Sequence, residues 1–479
     1  MKIKYHTDRN LIVRERRSQR ILILAFIFFL GMTAPLCAQK SPNFILILTD
    51  DQGWTSTSVQ MDDNLPGSRS DFYETPQLER LSALGKRFSR GYSPAAICSP
   101  SRRSILFGQT PVRQGDRRFA ITHHPDSGDR LTIPLVLKSV DPAYRTAHYG
   151  KWDLRADLYP EDLGYDESDG NTGNGHGNMN SSSVSKWTEY FIGSDPKKIE
   201  SLTGRAVNFM KRQVASDHPF YLQVSHYATH VDIQAREETL EKYWKRDPGK
   251  IHGNPGFAAM TDDLDRGVGE IIDMVYELGI EDHTYIIYMS DNGGVELIPQ
   301  TNQKMIDPGD YSRLRRNYPL RGGKWTLYEG GIRVPFIVAG PGIQPGSQTD
   351  ALVAGWDILP TVADLAGYTG DIAADVDGVS FIELLKDQKS PKTDWIRPPL
   401  IFHRFNDYYP HSAVIVGNYK LVKLWKTGKL ELFDLAADPG ETRNIALDQT
   451  QKTEELAVIL KSYLREVEAE ILEEYDPGE

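Results

Sequence analysis

The chain has 479 residues, 39% of them hydrophobic and 25% charged, and a net charge of −11 at neutral pH. That length and balance exclude a disordered or fibrous chain and allow one large α/β core with a smaller domain. The acidic total disfavours nucleic acid as a partner, so any anionic ligand needs a local concentration of Arg and Lys.

Residues 1–38 read as an export signal. Arg14, Arg16, Arg17 and Arg20 precede the apolar run Ile21–Leu30, and Leu36-Cys37-Ala38 offers a cleavage site before Gln39. The run is too short for a stable membrane span, and Ala34-Pro35-Leu36 before Cys37 fits a lipoprotein pattern poorly. A periplasmic or secreted location is therefore expected. Seven of the 55 Lys/Arg and two of the 66 Asp/Glu lie in this segment, so the processed chain carries −16 and a single cysteine, Cys98. With one thiol it can form no internal disulfide.

Asn43–Thr49 is a near-continuous apolar run, the pattern of a parallel strand covered on both faces, and it ends in Asp50-Asp51-Gln52-Gly53. Thr75-Pro76 opens an amphipathic helix. In Cys98-Ser99-Pro100-Ser101-Arg102-Arg103, Pro100 suits a first helical turn and Gly108 a helix stop, so Cys98 is expected at a helix N-terminus. There the helix dipole and Arg102 would lower a thiol pKa, and the polar neighbours argue against a buried structural cysteine.

Tyr144–Tyr149 reads as a short strand leading into Gly150-Lys151-Trp152-Asp153-Leu154. Residues 155–195 look like a substrate-shaping insertion, because 169–178 is too rich in Gly and Asn for regular structure; His176 lies within it. An amphipathic stretch over Ile199–Val214 precedes the strand Pro219–Val224, which delivers His226 and His230. Met260, Leu264, Val268, Ile271, Val275 and Leu278 recur at helical spacing across 258–279 and belong to the core. Tyr285–Ser290 repeats the design of the first strand and ends in Asp291-Asn292-Gly293-Gly294. Carboxylates and an amide oxygen at two strand ends suit Ca2+, with Mg2+ as the alternative, and no clustered thiol or His set suggests zinc. Arg321-Gly322-Gly323-Lys324 follows, with glycines that let a cation approach an anion closely, then the strand Val334–Val338 and a helix from Asp357. Ser390-Pro391 and Arg397-Pro398-Pro399 punctuate a boundary. Beyond it come short strands over 413–423 and 430–435 and a terminal helix over about 452–474.

Cys98-Ser99-Pro100-Ser101-Arg102, with Ser104-Ile105-Leu106-Phe107-Gly108 beyond it, resembles the signature of the type I, formylglycine-dependent sulfatases of the alkaline phosphatase superfamily. The other motifs follow in that family's order from about residue 42 to the end. The resemblance implies a large mixed, mostly parallel sheet sandwiched by helices over 39–390, with a small antiparallel sheet and terminal helix over 391–479. It implies that a maturation enzyme oxidises Cys98 to Cα-formylglycine, whose hydrate attacks sulfur. It places Asp50, Asp51, Asp291 and Asn292 on Ca2+, with the modified Cys98 completing the shell. It also sets Lys151, Lys324, Arg102 and His230 around the sulfate.

One residue departs from the pattern. Where the family carries Gly-Lys-Trp-His-Leu, this chain has Asp153, so a base or donor is sought among His148, His176, His226 and His230. Asp153, His176 and His226 are the substrate-side candidates. Export, Gly/Asn-rich loops and the aromatic residues Trp187, Trp325 and Tyr408 point to a sulfated polysaccharide or its oligosaccharides. Two alternatives stand beside this: a phosphonate or phosphodiester hydrolase of the same superfamily, and a silent sulfated-glycan-binding protein.

Overall fold

Strand Asn43–Thr49 is buried at every position and divides its side chains between two cores. Phe44, Leu46 and Leu48 pack on one face of the sheet, and Ile45 and Ile47 on the other. A strand covered on both faces reads as the uninterrupted apolar run seen in the sequence, and each large side chain so buried stabilises by about 1.5–3 kcal/mol. The computed structural model describes residues 40–117, 120–121, 131–155, 158–179, 189–296, 316–372, 376–386, 395–405 and 409–471. The export segment 1–38, Trp187 and Tyr408 lie outside these residues. Among the described residues no helix is long and apolar enough to cross a membrane.

The main sheet has eight strands in the order Ser347–Thr349, Lys86–Phe88, Phe336–Ala339, Thr284–Ser290, Asn43–Thr49, Phe220–Ser225, Arg145–Gly150 and Glu167–Ser168. Asn43–Thr49 runs parallel to both neighbours, with Thr49 level with Ser290 and Leu48 level with Ser225. Only Phe336–Ala339 runs antiparallel to its partners within this sheet. Because the central strands end in register, Asp50, Asp291, His226 and Lys151 emerge along one carboxyl edge, where open α/β sheets place ligands.

Helix Pro255–Glu277 covers one face, with Val268, Ile271 and Val275 packed on the Ile45 and Ile47 side. It begins three residues earlier than its apolar periodicity predicts. The Asn254 side chain accepts from Phe257 N–H at 2.8 Å, and Pro255 occupies the first turn, so Asn254-Pro255 is the start signal.

Four antiparallel strands, Leu400–Arg404, His411–Val416, Tyr419–Leu424 and Lys429–Asp434, form the second sheet in sequential order. One face meets Tyr92, Ile332 and Trp356; the other is covered by Leu456, Leu460 and Leu464 of the terminal helix Thr450–Glu466. That helix stops short of the expected 474. Glu468 turns left-handed at φ 51°, two residues past the end of the helix. Ala469 N–H reaches back to Leu464 O at 2.8 Å, a reverse turn that closes the helix.

Candidate active site

Three segments carry the site to the carboxyl edge. Asp50 and Asp51 follow the first strand, and Asp291 and Asn292 follow Thr284–Ser290, with Asp291 N–H donating to Thr49 O at 3.0 Å. Helix Cys98–Phe107 presents Cys98 as its first residue and is stopped by Gly108 at φ 68°. The turn after Asp291 is locked from outside: Gly293 N–H donates to Gly331 O at 2.9 Å, and a Cβ on Gly293 would collide with the Gly330 carbonyl.

Cys98 Sγ lies 3.2 Å from Asp50 Oδ1, 3.8 Å from Asp51 Oδ1 and 3.4 Å from Lys324 Nζ. Lys151 Nζ pairs with Asp50 Oδ2 at 2.7 Å, and Lys324 Nζ lies 2.7 Å from Asp51 Oδ1. Arg102 pairs with Asp291 Oδ2 at 2.7 Å and donates to Lys151 O at 2.5 Å. Asp51 N–H and Asn292 Nδ2 complete the links, donating to Asp291 Oδ1 at 3.2 Å and to Asp51 Oδ1 at 2.7 Å. Three carboxylates thus face three cations, all buried. Their charges cancel, so a bound divalent cation would leave the site net positive and suited to an anion.

The electrostatics follow from burial and these pairs. Burial would raise Asp50, but Lys151, His230, Arg102 and Lys324 together hold it well below the carboxylate range. Asp51 is also held low, by Lys324 above all, against its burial. Asp291 goes the other way, lifted to about 6 by burial and the neighbouring Asp50 despite Arg102. The Cys98 thiol is pushed up, first by burial and then by Asp291 and Asp50. This corrects the sequence-based expectation of a lowered thiol pKa and a cysteine away from the core: the helix N-terminus is there, but the surrounding carboxylates outweigh it.

Asp50, Asp51, Cys98 and His230 place one ligand atom each within 4.8 Å of one another. His230 Nδ1 lies 2.7 Å from Val231 O, a contact that needs the proton on Nδ1 and leaves the Nε2 lone pair 3.7 Å from Asp51 Oδ2. His230 joins the predicted donors more closely than Asp291, whose carboxylate is turned to Arg102. Asn292 Oδ1 is buried without a hydrogen-bond partner. An orphaned amide oxygen beside two carboxylates fits a hard divalent cation.

The other candidates lie elsewhere. His226 is buried, its ring nitrogens have no hydrogen-bond partner, and burial lowers it to about 4. His148 is buried beside Trp152 and hydrogen-bonds Ser225 Oγ at 3.0 Å. His176 is exposed, in a one-turn helix over Asn174–Gly177, and its Nδ1 accepts from Gly173 N–H at 3.1 Å. Among the described residues none of the three makes a polar contact with Cys98, Lys151 or Lys324. Trp325 is half-buried, with Lys324 Nζ 5.6 Å from its ring centre.

Asp153 does reach the site. It sits in the left-handed region at φ 49°, accepts from Ser99 Oγ at 3.0 Å and holds Oδ2 3.7 Å from Lys151 Nζ. Ser99 had no sequence signal of its own beyond its place next to Cys98. These contacts set Asp153 beside Lys151; if it serves to orient that lysine, Asp153→Asn is expected to raise KM several-fold and leave kcat nearly unchanged. Steady-state kinetics would refute this with a large fall in kcat at constant KM, the mark of a proton acceptor.

The sulfatase family model, described simply as Sulfatase, matches residues 42–368 of this chain. The chain belongs to the sulfatase family. A second model, N-sulphoglucosamine sulphohydrolase, C-terminal, matches 323–470. The sulfatase is 29% identical to mouse (Mus musculus) N-acetylgalactosamine-6-sulfatase, over 91% of this chain and 81% of that protein. It is 28% identical to human (Homo sapiens) arylsulfatase A, over 90% and 89% of the two chains. Its fold matches the crystal structure of Ps i-CgsB in complex with k-i-k-neocarrahexaose, with TM-score 0.70, 23% identity and coverage of 88% and 93%. The sulfatase therefore hydrolyses sulfate esters, on a mostly parallel sheet with a small antiparallel sheet behind it.

Proposed function

We propose that this sulfatase acts on a sulfated polysaccharide or its oligosaccharides outside the cytoplasm, with Cys98 matured to Cα-formylglycine and Ca2+ bound beside it. The observation that carries the reading is the setting of Cys98. A thiol kept protonated by burial and two carboxylates is a poor thiolate nucleophile, yet it sits at the centre of the only paired Lys-Asp constellation on the carboxyl edge among the described residues. Such a cysteine makes sense as the precursor of an oxygen nucleophile.

Asp50, Asp51 and Asn292, with Asp291, would hold the cation, which when bound polarises sulfate oxygens and the nucleophile. Lys151 and Lys324 flank the same point and neutralise charge on the sulfate; Arg102 secures Asp291 and, through Lys151 O, the backbone of that lysine. His230, with a lone pair on Nε2, would stand on the side of the ester. The sugar assignment is supported by the names of the relatives, one an N-acetylgalactosamine-6-sulfatase and one bound to an oligosaccharide. It is tested by sulfate release from a panel of defined sulfated saccharides, set against aryl sulfates and phosphonate esters. Turnover confined to the last two groups would exclude the saccharide reading.

Calcium has its own readout. Chelator-treated protein is expected to melt at higher temperature as Ca2+ is added, by an amount equivalent to about 2.7 kcal/mol at 100 times the dissociation constant. Asp291→Ala should abolish most of that rise. An unchanged melting temperature in both proteins would remove the metal from the proposal.

A further inference from the structure

Lys197 is a buried cation that the chemistry described above leaves unused. It precedes helix Ile199–Ala215 in a left-handed conformation at φ 51°, and only 1% of the residue is exposed. Its backbone N–H donates to Gln234 Oε1 at 2.9 Å, and Gln234 Nε2 donates to Asn178 O at 2.7 Å. One glutamine therefore ties Lys197 to the strand Ile233–Ala235, just after His230, and to the Gly/Asn-rich loop whose Thr172 O accepts from Asp153 N–H at 2.8 Å. The segment that follows His230 and the loop that holds Asp153 thus meet at this lysine.

Asp232, Asp50, Lys151 and Asp51 are the charges that act on its amine, so the side chain lies within electrostatic reach of the catalytic cluster. Arg102, Lys151 and Lys324 each rest on an aspartate. Among the described residues no carboxylate lies within ion-pair distance of the Lys197 ammonium. Burial takes the amine down to about 7, against the pull of Asp232 and Asp50. A buried ammonium without a contact partner is costly, and a protein that keeps one gains by meeting an anion there. The sulfate of the scissile ester already has Lys151 and Lys324.

We propose that Lys197 is a specificity-determining residue that binds a second anionic group, a carboxylate or a further sulfate, on the saccharide that carries the scissile ester. This rests on the saccharide reading and sharpens it. The substrate class becomes sulfated sugars with two negative groups close together.

The test compares matched saccharides that share one sulfate ester and differ by a second sulfate or a uronic carboxylate, in the wild-type protein, Lys197→Met and Lys197→Arg. The wild type should favour a doubly charged substrate by at least 10-fold in kcat/KM, and the identity of the preferred group separates sulfate from carboxylate. Lys197→Met should erase the preference through KM, leave turnover of the singly charged substrate unchanged, and melt no lower than the wild type. Lys197→Arg should retain part of the preference. Equal loss on both substrates, or a lower melting temperature for Lys197→Met, would show a structural lysine and overturn the proposal. Should that variant fail to fold, it is overturned in the same way, and Lys197→Gln checks the result. Saccharide turnover with no preference for a second charge refutes only this inference, whereas absence of turnover on every saccharide refutes the saccharide reading with it.

Discussion

Cys98→Ala is expected to lower sulfate release by about 10^3-fold or more while leaving the fold intact. Removing a nucleophile costs that much or more in enzymes where it acts as one unit with its partners. The loss of one buried sulfur leaves the surrounding pairs in place, because Lys151 still rests on Asp50, Lys324 on Asp51 and Arg102 on Asp291. The Ala variant should therefore melt within a few degrees of the wild type and keep its response to Ca2+, less whatever Cys98 itself contributes. The accompanying measurement is peptide mass spectrometry of active protein, in which the thiol mass at position 98 should be replaced by that of an aldehyde-reactive residue. Active protein with an intact thiol would contradict the maturation proposal, and no appeal to a low thiol pKa could then explain the activity, since the carboxylates around Cys98 push that pKa up.

The parts of this site that were legible in the sequence are those built from local rules. An apolar run ending in Asp-Asp or Asp-Asn marks a buried strand with donors at its carboxyl end, and the register of Thr49 with Ser290 brings the two ends level. Gly293 was legible as a turn, although its reason is a close approach by Gly330 some forty residues away. What escaped reading depends on contacts distant in sequence. Cys98 looked polar from its neighbours, yet the whole helix Cys98–Phe107 is buried because Arg102 and Arg103 find partners in Asp291 and Leu154 O. His226 looked like a second site histidine beside His230, but it is fully buried and its ring nitrogens have no hydrogen-bond partner. Lys197 carried one usable signal. Two lysines just before a helix oppose its dipole, so their presence there asks for an explanation.

The buried triad that joins the second sheet to the Lys324 segment gives the largest expected stability effect. Lys420 Nζ lies 2.9 Å from Glu329 Oε1 and 2.8 Å from Glu441 Oε1, and Glu329 N–H donates to Glu441 Oε2 at 2.7 Å. All three side chains are fully buried. Glu329 opens the short helix Glu329–Ile332, whose Gly331 O receives Gly293 N–H, so the triad stands behind the Asp291 turn. Lys420→Met leaves two buried carboxylates facing each other without a cation and is expected to cost about 3–5 kcal/mol in chemical denaturation. Glu441→Gln should cost less, because one ammonium and one carboxylate remain. The pH dependence follows from the same contacts. Burial, with Glu329 nearby, lifts Glu441 to about 7 although Lys420 pulls the other way. Between its ordinary value, 4.5, and 7 the folded state then holds more of this proton than the unfolded state, so the contribution of Glu441 to stability falls as pH rises through that window. Glu441→Gln should flatten that part of the stability profile, and a slope unchanged between pH 5 and 7 would show that the proton resides elsewhere.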